Sequence, residues 1–335
     1  MAEHPVAQSV APSEKPKWTR ASAMRSRIVI EIAAELVTAD DQPHRQAKVD
    51  LREAAGDAWA ITLFGNSTME GLQDVIAGRA TMSMINPAGI LSLAYRGADP
   101  FDGPQPVRAI GVIPSLDQFV FAAKTETGLT TLEDIARLRF PLRVSLRAQK
   151  DHCMHLMLGH IMAAAGCPLD DLIAWGGEAR YELVRRQPIF AAVERGDSDA
   201  IFEEAVQDWV EDAVDAGMTI LSLSEETVAK LEAMGYRRGI IRKDRFPKLP
   251  NDILTIDFSG WPIYVRADLD DRLVGQICAA LDARKHLIPW QGEGPLPVER
   301  MCRDAEDTPM DVPLTGRRSG PGGSAAISID GPEML

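Results

Sequence analysis

Residues 59–97 constrain the fold most, because they spell the same local structure twice. Residues 59–64, Trp-Ala-Ile-Thr-Leu-Phe, are almost without polar side chains, as a strand covered on both faces requires. Gly65-Asn66 breaks the run, and Ser67-Thr68-Met69-Glu70 then has the form of a capping box, a Ser oxygen for the N3 amide and a Glu reaching back. Met69, Leu72, Val75 and Ile76 give one apolar helical stripe, and Gly78 suits the left-handed stop behind it. A second strand, 81–85, ends in Asn86-Pro87, an expected N-cap followed by a proline at the first helical position. Ile90, Leu91, Leu93 and Ala94 carry the next helix, which closes before Gly97. Two such junctions put two helix N-termini at the carboxyl edge of a parallel sheet, where free amides and positive dipole ends favour an anion. Caps that merely end helices are the competing explanation.

The rest of the chain continues the alternation. A helix at 24–38 and a polar segment, 39–56, precede the double unit, and strands are expected at 107–113 and 119–123. Thr130-Thr131-Leu132-Glu133 is another capping box. Strand 142–146 leads into Arg147-Ala148-Gln149-Lys150, with Asp151 as N-cap for a helix to residue 165, so a third junction appears and carries two cations. Further strands are expected at 173–175, 200–202, 219–223, 253–256 and 262–265. Helices are expected at 189–195, from Glu203-Glu204 to 213, at 225–234, and from an Asp268 cap to about 285. This order argues for an α/β protein of two lobes with mainly parallel sheets. Lobe I is expected at 24–124 plus 249–287 and lobe II at 125–248. A C-terminal extension is expected at 288–314, with a disordered lead at 1–23 and a disordered tail at 315–335.

Composition narrows the function classes. With 335 residues, two domains are expected. A net charge of −13 speaks against nucleic acid and anionic membrane surfaces as partners, while leaving room for a local cluster of donors to an anion. No run is long enough to span a membrane. Glu31 and Glu35 interrupt the only apolar N-terminal run, so the sequence as written shows no export signal and reads as cytoplasmic. Cys153, Cys167, Cys278 and Cys302 lack CxxC spacing and read as free thiols.

Four stretches, "LFGNSTMEGLQDVIAGRATMSMINP", "VIPSLDQFVFAAKTETGLTTLEDIARLRFPLRVSLR", "AAAGCPLDDLIAWGG" and "VERGDSDAIFEEA", taken in that order, resemble TAXI-type solute receptors of TRAP transporters. The resemblance covers roughly residues 59–286. It implies a type 2 periplasmic binding protein-like fold, with a hinge and an inter-lobe cleft that closes on a small organic acid or amino acid. It also implies a periplasmic location and TRAP membrane subunits as partners. Three stretches depart from the family's pattern: no strand and glycine-rich loop are apparent before Trp59, the loop after Leu146 is cationic, and Val312-Pro313-Leu314 runs into Thr315-Gly316-Arg317-Arg318.

The candidate ligand-binding residues follow from the three junctions. Asn66, Ser67, Thr68, Asn86 and Ala88 offer neutral donors on the first lobe, and Ser145, Arg147, Lys150 and His152 face them from the second. Arg147 is suited to grip a carboxylate with two parallel N–H bonds. Glu203, or its neighbour Glu204, is placed to neutralise Arg147 or to receive a ligand's amino group. Trp175 and Trp261 are candidate apolar walls. His152, Cys153, His155 and His160 lack the further ligands a metal site needs, so no metal is expected. Without GxSxG, P-loop or GxGxxG, no cofactor is expected and no catalytic residue is assigned. The leading expectation is a non-catalytic solute-binding protein for a small organic anion. An enzyme on the same fold, such as a decarboxylase using His152 with Glu203, and a cytoplasmic ligand sensor are the alternatives.

Overall fold

Two five-stranded sheets organise the chain, and a computed structural model describes residues 17–38, 46–52, 60–65, 68–182, 186–204, 206–288, 290 and 294–315. Trp59, Asn66 and Ser67 lie outside the described residues, as do 1–16 of the expected disordered lead, 1–23, and 316–335 of the expected disordered tail, 315–335. The chain divides into a short unit, 1–47, and a large one, 48–335. The short unit is dominated by helix α1 (Lys17–Thr38), which starts before residue 24 and so shortens the expected disordered lead.

In chain order the remaining elements are β1 (Ala47–Arg52), β2 (Ala60–Gly65), α2 (Met69–Ile76), β3 (Met82–Met84), α3 (Gly89–Arg96), β4 (Val107–Ile113), β5 (Val120–Lys124) and α4 (Glu133–Leu138). Then come β6 (Arg143–Arg147), α5 (Met154–Ala164), α6 (Leu169–Ala174), β7 (Glu178–Glu182), α7 (Arg186–Glu194), β8 (Ala200–Glu203), α8 (Val206–Asp215), β9 (Met218–Ile220) and α9 (Glu225–Met234). The last are β10 (Arg237–Ile241), β11 (Ile253–Asp257), β12 (Trp261–Arg266), α10 (Asp271–Arg284) and α11 (Val298–Met301). Among the described residues no helix is long and apolar enough to cross a membrane.

The fold is α/β, and both sheets are mixed. Sheet one has the order β1-β2-β3-β12-β4, with β12 antiparallel to both β3 and β4. Sheet two has the order β7-β6-β8-β5-β9, with β5 antiparallel to β8 and β9. Sheet two is therefore a parallel set interrupted by one reversed strand, and in sheet one β12 runs against both its neighbours, so pairing is mixed where mainly parallel pairing was expected. The expected lobe boundaries also move. Strand β5, expected in the first lobe, pairs within sheet two, and of the two returning strands only β12 enters sheet one. Strand β11 pairs with β10, and Ile253 packs with Val120, Ile201 and Ile220 beside sheet two.

Two short crossings, 114–119 between the two sheets and 258–260 between the β10–β11 ribbon and sheet one, are bonded to each other. Phe258 N–H donates to Asp117 O (3.0 Å), Gly260 N–H to Ser115 O (3.1 Å), and Asp117 N–H to Ser259 Oγ (2.9 Å). Aromatic rings secure the same place. Phe119 stacks on Phe121 at 4.9 Å, and Phe202 and Phe258 meet them edge-on at 5.1 and 6.1 Å. One buried apolar cluster runs from Leu72 and Ile90 beside sheet one to Met154, Leu158 and Phe202 beside sheet two. Close approach between the lobes needs small residues. A Cβ on Gly89 would lie 3.1 Å from Met157 Cε, and one on Gly235 (φ +114°) 2.6 Å from Arg96 Cδ.

Several local expectations shift by a residue or more. The cap of α2 is Thr68, whose Oγ1 accepts from Glu70 N–H (3.4 Å). The box at α4 pairs Thr131 with Asp134, each backbone N–H donating to the other's side chain (3.2 and 3.0 Å). Burial opposes ionisation of Asp134, yet the Arg137 guanidinium and the Thr130 and Thr131 amides hold its carboxyl below the usual range. Residues 173–175, expected as a strand, end helix α6, whose first turn carries Asp170 and Asp171 as the dipole favours. The segment read as polar contains β1, tied down by Lys48–Asp74 (2.7 Å) and by Thr62 Oγ1 donating to Asp50 (2.6 Å).

Candidate functional site

The junctions of the two lobes meet at an isolated antiparallel bridge between Thr68 and His152. Thr68 stands at the start of α2 and His152 just before α5. The His152 ring, not Asp151, serves the first turn of α5: Nδ1 accepts from Met154 N–H at 3.1 Å. Burial, reinforced by the adjacent Arg147 guanidinium, pushes this imidazole down to about 3, so the ring is neutral at ordinary pH.

Arg147 ends β6 and Glu203 ends β8, and parallel pairing of those strands sets them side by side. Arg147 donates from Nε (3.1 Å) and Nη2 (2.6 Å) to Glu203 Oε1. The same Nη2 lies 2.7 Å from Glu204 Oε1, and Nη1 lies 3.2 Å from His152 Nε2. Glu204 N–H also donates to Glu203 Oε1 (3.0 Å). Both glutamates are almost fully enclosed, at 2% and 3% exposure. One guanidinium thus serves two buried carboxyl groups, with the Asp117 carboxyl of the first crossing acting on both Arg147 and Glu204. Burial raises both glutamates, against the pull of Arg147, and Glu204 well above its ordinary value. Glu203 receives three N–H donors. Glu204 Oε2 is buried with no partner.

The expected anion grip at Arg147 is corrected by this pairing, because its fork already faces carboxylates from its own chain. Lys150 is exposed and turns its Nζ over the Tyr181 ring at 4.3 Å, away from the cluster. Ser145 is bonded to Ser198 Oγ at 2.7 Å and has Glu182 Oε2 at 3.3 Å. Asn86 does not cap α3, whose N-cap is Ala88, and its Oδ1 is buried without a partner. Ala88 borders a cavity of about 10 Å³ closed by Pro309 and Val312, too small for a solute. Trp175 packs against the main apolar cluster, and Trp261 packs with Ile110, Ile113 and Met301. His155 Nε2 is 3.0 Å from Arg147 O and 3.1 Å from Gln149 O, which fixes the loop. No metal-binding group of side chains occurs among the described residues. The four cysteines are free, and burial pushes Cys153 up to about 12, with Glu204 adding to the shift.

A second polar contact between the lobes was not foreseen from the sequence. His160 on α5 binds Tyr236 OH through Nδ1 (2.7 Å) and Asp99 Oδ2 through Nε2 (2.9 Å). Beside it Ser92 Oγ on α3 donates to Gly235 O (3.0 Å) within the buried interface. These contacts close the sheets together on the side of α3, as Thr68–His152 does at the cluster. Their legible trace is the excess of histidines along α5.

No family model matches the chain, and no curated protein does. Among solved structures, the chain is similar to an ancestral arginine-binding protein bound to arginine (13% identity, 64% of this chain and 70% of that one, TM-score 0.31). It is also similar to the L-cystine solute receptor of Neisseria gonorrhoeae (14% identity, 64% and 66%, TM-score 0.28). A third is the ATP phosphoribosyl transferase (HisG:HisZ) complex of Thermotoga maritima (9% identity, 78% and 92%, TM-score 0.33). With TM-scores this low they do not establish a shared architecture; the strand orders and registers above define the fold.

Proposed function

We propose that this chain is a non-catalytic solute-binding protein. It captures a small organic acid, preferably one bearing an amino group, between its two sheets and serves a TRAP-type transporter, as the resemblance of its sequence implies. The observation that carries the reading is the buried cluster of Arg147, Glu203, Glu204 and His152, set where the first lobe touches the second through Thr68 and beside the crossing that holds Asp117. Capture requires the Thr68–His152, Ser92–Gly235 and Asp99–His160 contacts to part while the paired crossings hold. A carboxylate is then served by backbone amides at the starts of α2 and α3, two helices of eight residues each. A plain dicarboxylate suits the cluster less than an amino acid, because Arg147 is already matched by two carboxyl groups.

A decarboxylase built on His152 and Glu203 is disfavoured by the same geometry. The imidazole is held neutral by burial, and Glu203 is tied to Arg147, so neither group is poised to exchange protons with a substrate. Native mass spectrometry of freshly purified protein, followed by calorimetric titration with amino acids and organic acids, tests the proposal. A retained or titratable small solute is the expected result. A protein that holds and binds none is not a solute receptor.

A further inference from the structure

We propose that residues 303–311 form a tether over the two crossings, anchored on sheet one at both ends and gripping the β10–β11 ribbon through Asp311, so that it holds the two lobes together. The inference shares with the solute-binding reading only the parting of the lobes, and it needs no solute. Both anchors lie on β4. Met301 of α11 packs with Ile110 and Ile113, and Cys302 Sγ donates to Ile110 O at 3.4 Å. At the other end Ala109 N–H donates to Pro313 O. The stretch between is bonded to itself. Arg300 Nη1 donates to Thr308 Oγ1 (2.6 Å), Thr308 Oγ1 to Arg303 O (2.6 Å) and Met310 N–H to Asp304 Oδ1 (3.0 Å). It is a short, stiff link.

This link lies on both crossings. Ser115 N–H of the first donates to Asp307 O at 3.0 Å. Gly260 of the second is approached so closely that a Cβ there would stand 3.0 Å from Pro309 Cδ and 3.3 Å from Asp307 O. Asp311 Oδ2 then pairs with Arg237 Nη2 at 3.1 Å. Arg237 opens β10, and its ribbon goes with sheet two: Leu223 N–H, just after β9, donates to Leu254 O (2.8 Å), and Ile241 and Ile253 pack with Val120 and Ile201. The Asp311–Arg237 pair thus joins a segment fixed to sheet one with a ribbon fixed beside sheet two. Arg237 also keeps Asp257 Oδ2 (3.1 Å) and Ser259 O (3.5 Å), so losing Asp311 frees the tether without stranding the guanidinium. The two side chains are 25% and 28% exposed, which makes the hold moderate.

Alkylation of Cys153 by N-ethylmaleimide, read by peptide mass spectrometry on the full-length protein with no solute added, measures how often the lobes part. Cys153 is 1% exposed at the start of α5, within electrostatic reach of Tyr264 on sheet one and of Glu204 beside sheet two. Asp311→Asn is expected to speed its alkylation about three- to ten-fold. Cys167, buried against Leu132 O within the second lobe, should stay protected. Arg238→Gln removes ion pairs of the same strand that do not involve the C-terminal segment, and should leave both rates unchanged. An unaltered Cys153 rate in Asp311→Asn, an equal acceleration in Arg238→Gln, or Cys167 reacting in step with Cys153 overturns the tether. A protein that binds no solute yet shows the expected acceleration refutes the solute receptor and keeps the tether.

Discussion

The carboxyl edges of the two sheets are built alike and filled differently. Each presents strand ends followed by helix starts. At the edge of sheet one the groups are neutral: Thr68 caps α2, and Asn86 and Ala88 precede α3. At the edge of sheet two, Arg147, His152, Glu203 and Glu204 crowd together, all but Arg147 below 5% exposure. The same backbone device therefore carries neutral groups at one edge and a self-compensated ionic core at the other. Helix N-termini alone do not tell which case applies. The count of ionisable side chains that the neighbouring strands deliver does.

If the comparison holds, stability and its pH dependence reside at the second edge. The largest effect is expected from Arg147→Met, which strands two buried carboxyl groups and should cost about 3–5 kcal/mol in chemical denaturation. The triple change Arg147→Met, Glu203→Gln, Glu204→Gln should recover most of that loss, since removing a whole buried ionic group is far less harmful than halving it. A single variant as stable as the parent would break the contrast.

The next effect is the response to pH, which has opposite signs for two neighbours. His152 has a folded value of about 3 against 6.5 unfolded, so the unfolded chain binds more protons between them, and stability is lost as pH falls below about 6.5. At pH near 4.5 the loss should be on the order of 2 kcal/mol, and His152→Gln should flatten it. Glu204 is raised, so its contribution is complete at low pH and disappears as pH climbs through its folded value, well above the ordinary carboxyl. Glu204→Gln should flatten that alkaline limb. Melting temperature against pH for the two variants reads both limbs, and a single limb altered by both changes would mean the two groups do not act separately.

Smaller effects belong to the contacts that join the lobes away from the charges. Ser92→Ala removes a buried bond to Gly235 O and should cost about 1 kcal/mol, with faster amide exchange at Tyr236 than at the crossings. Thr68→Ala at the neutral edge should cost about 0.5–1 kcal/mol, as the loss of one cap does, with no change in the pH profile. A pH-dependent response in Thr68→Ala would show that the two edges are coupled through the Thr68–His152 bridge.

Much of this arrangement was legible in the chain. Strand–helix alternation and the double unit at 59–97 are written in the sequence. What the sequence hid was pairing. Arg147 and Glu203 are 56 residues apart, and they become neighbours only because β6 and β8 run parallel in the register Val144–Ala200, Ser145–Ile201. Sheet membership is likewise non-local. Strand β5 is apolar on both faces because Phe121 faces Phe202 while Val120 and Ala122 join a second cluster, and nothing in its own residues says which sheet it enters. Strand β1 was missed because Ala-Lys-Val-Asp-Leu-Arg alternates charge with short apolar residues, as an edge strand does. The short run 173–175 shows the limit of periodicity: too few residues separate a helix end from a strand.

The segment after α11 returns to sheet one and lays itself along β4, the last strand in the order. Ala109 N–H donates to Pro313 O at 3.0 Å and Thr315 N–H to Ala109 O at 2.8 Å, while Val312 and Leu314 are buried. An uncovered β4 would present a row of free amides and carbonyls, the template on which extended chains stack into aggregates. Residues 312–315 thus act as a built-in guard against misassembly. A protein cut back to residue 310 should precipitate or oligomerise during refolding even where its two carboxyl edges are intact, while a fusion attached beyond Thr315 leaves that protection in place.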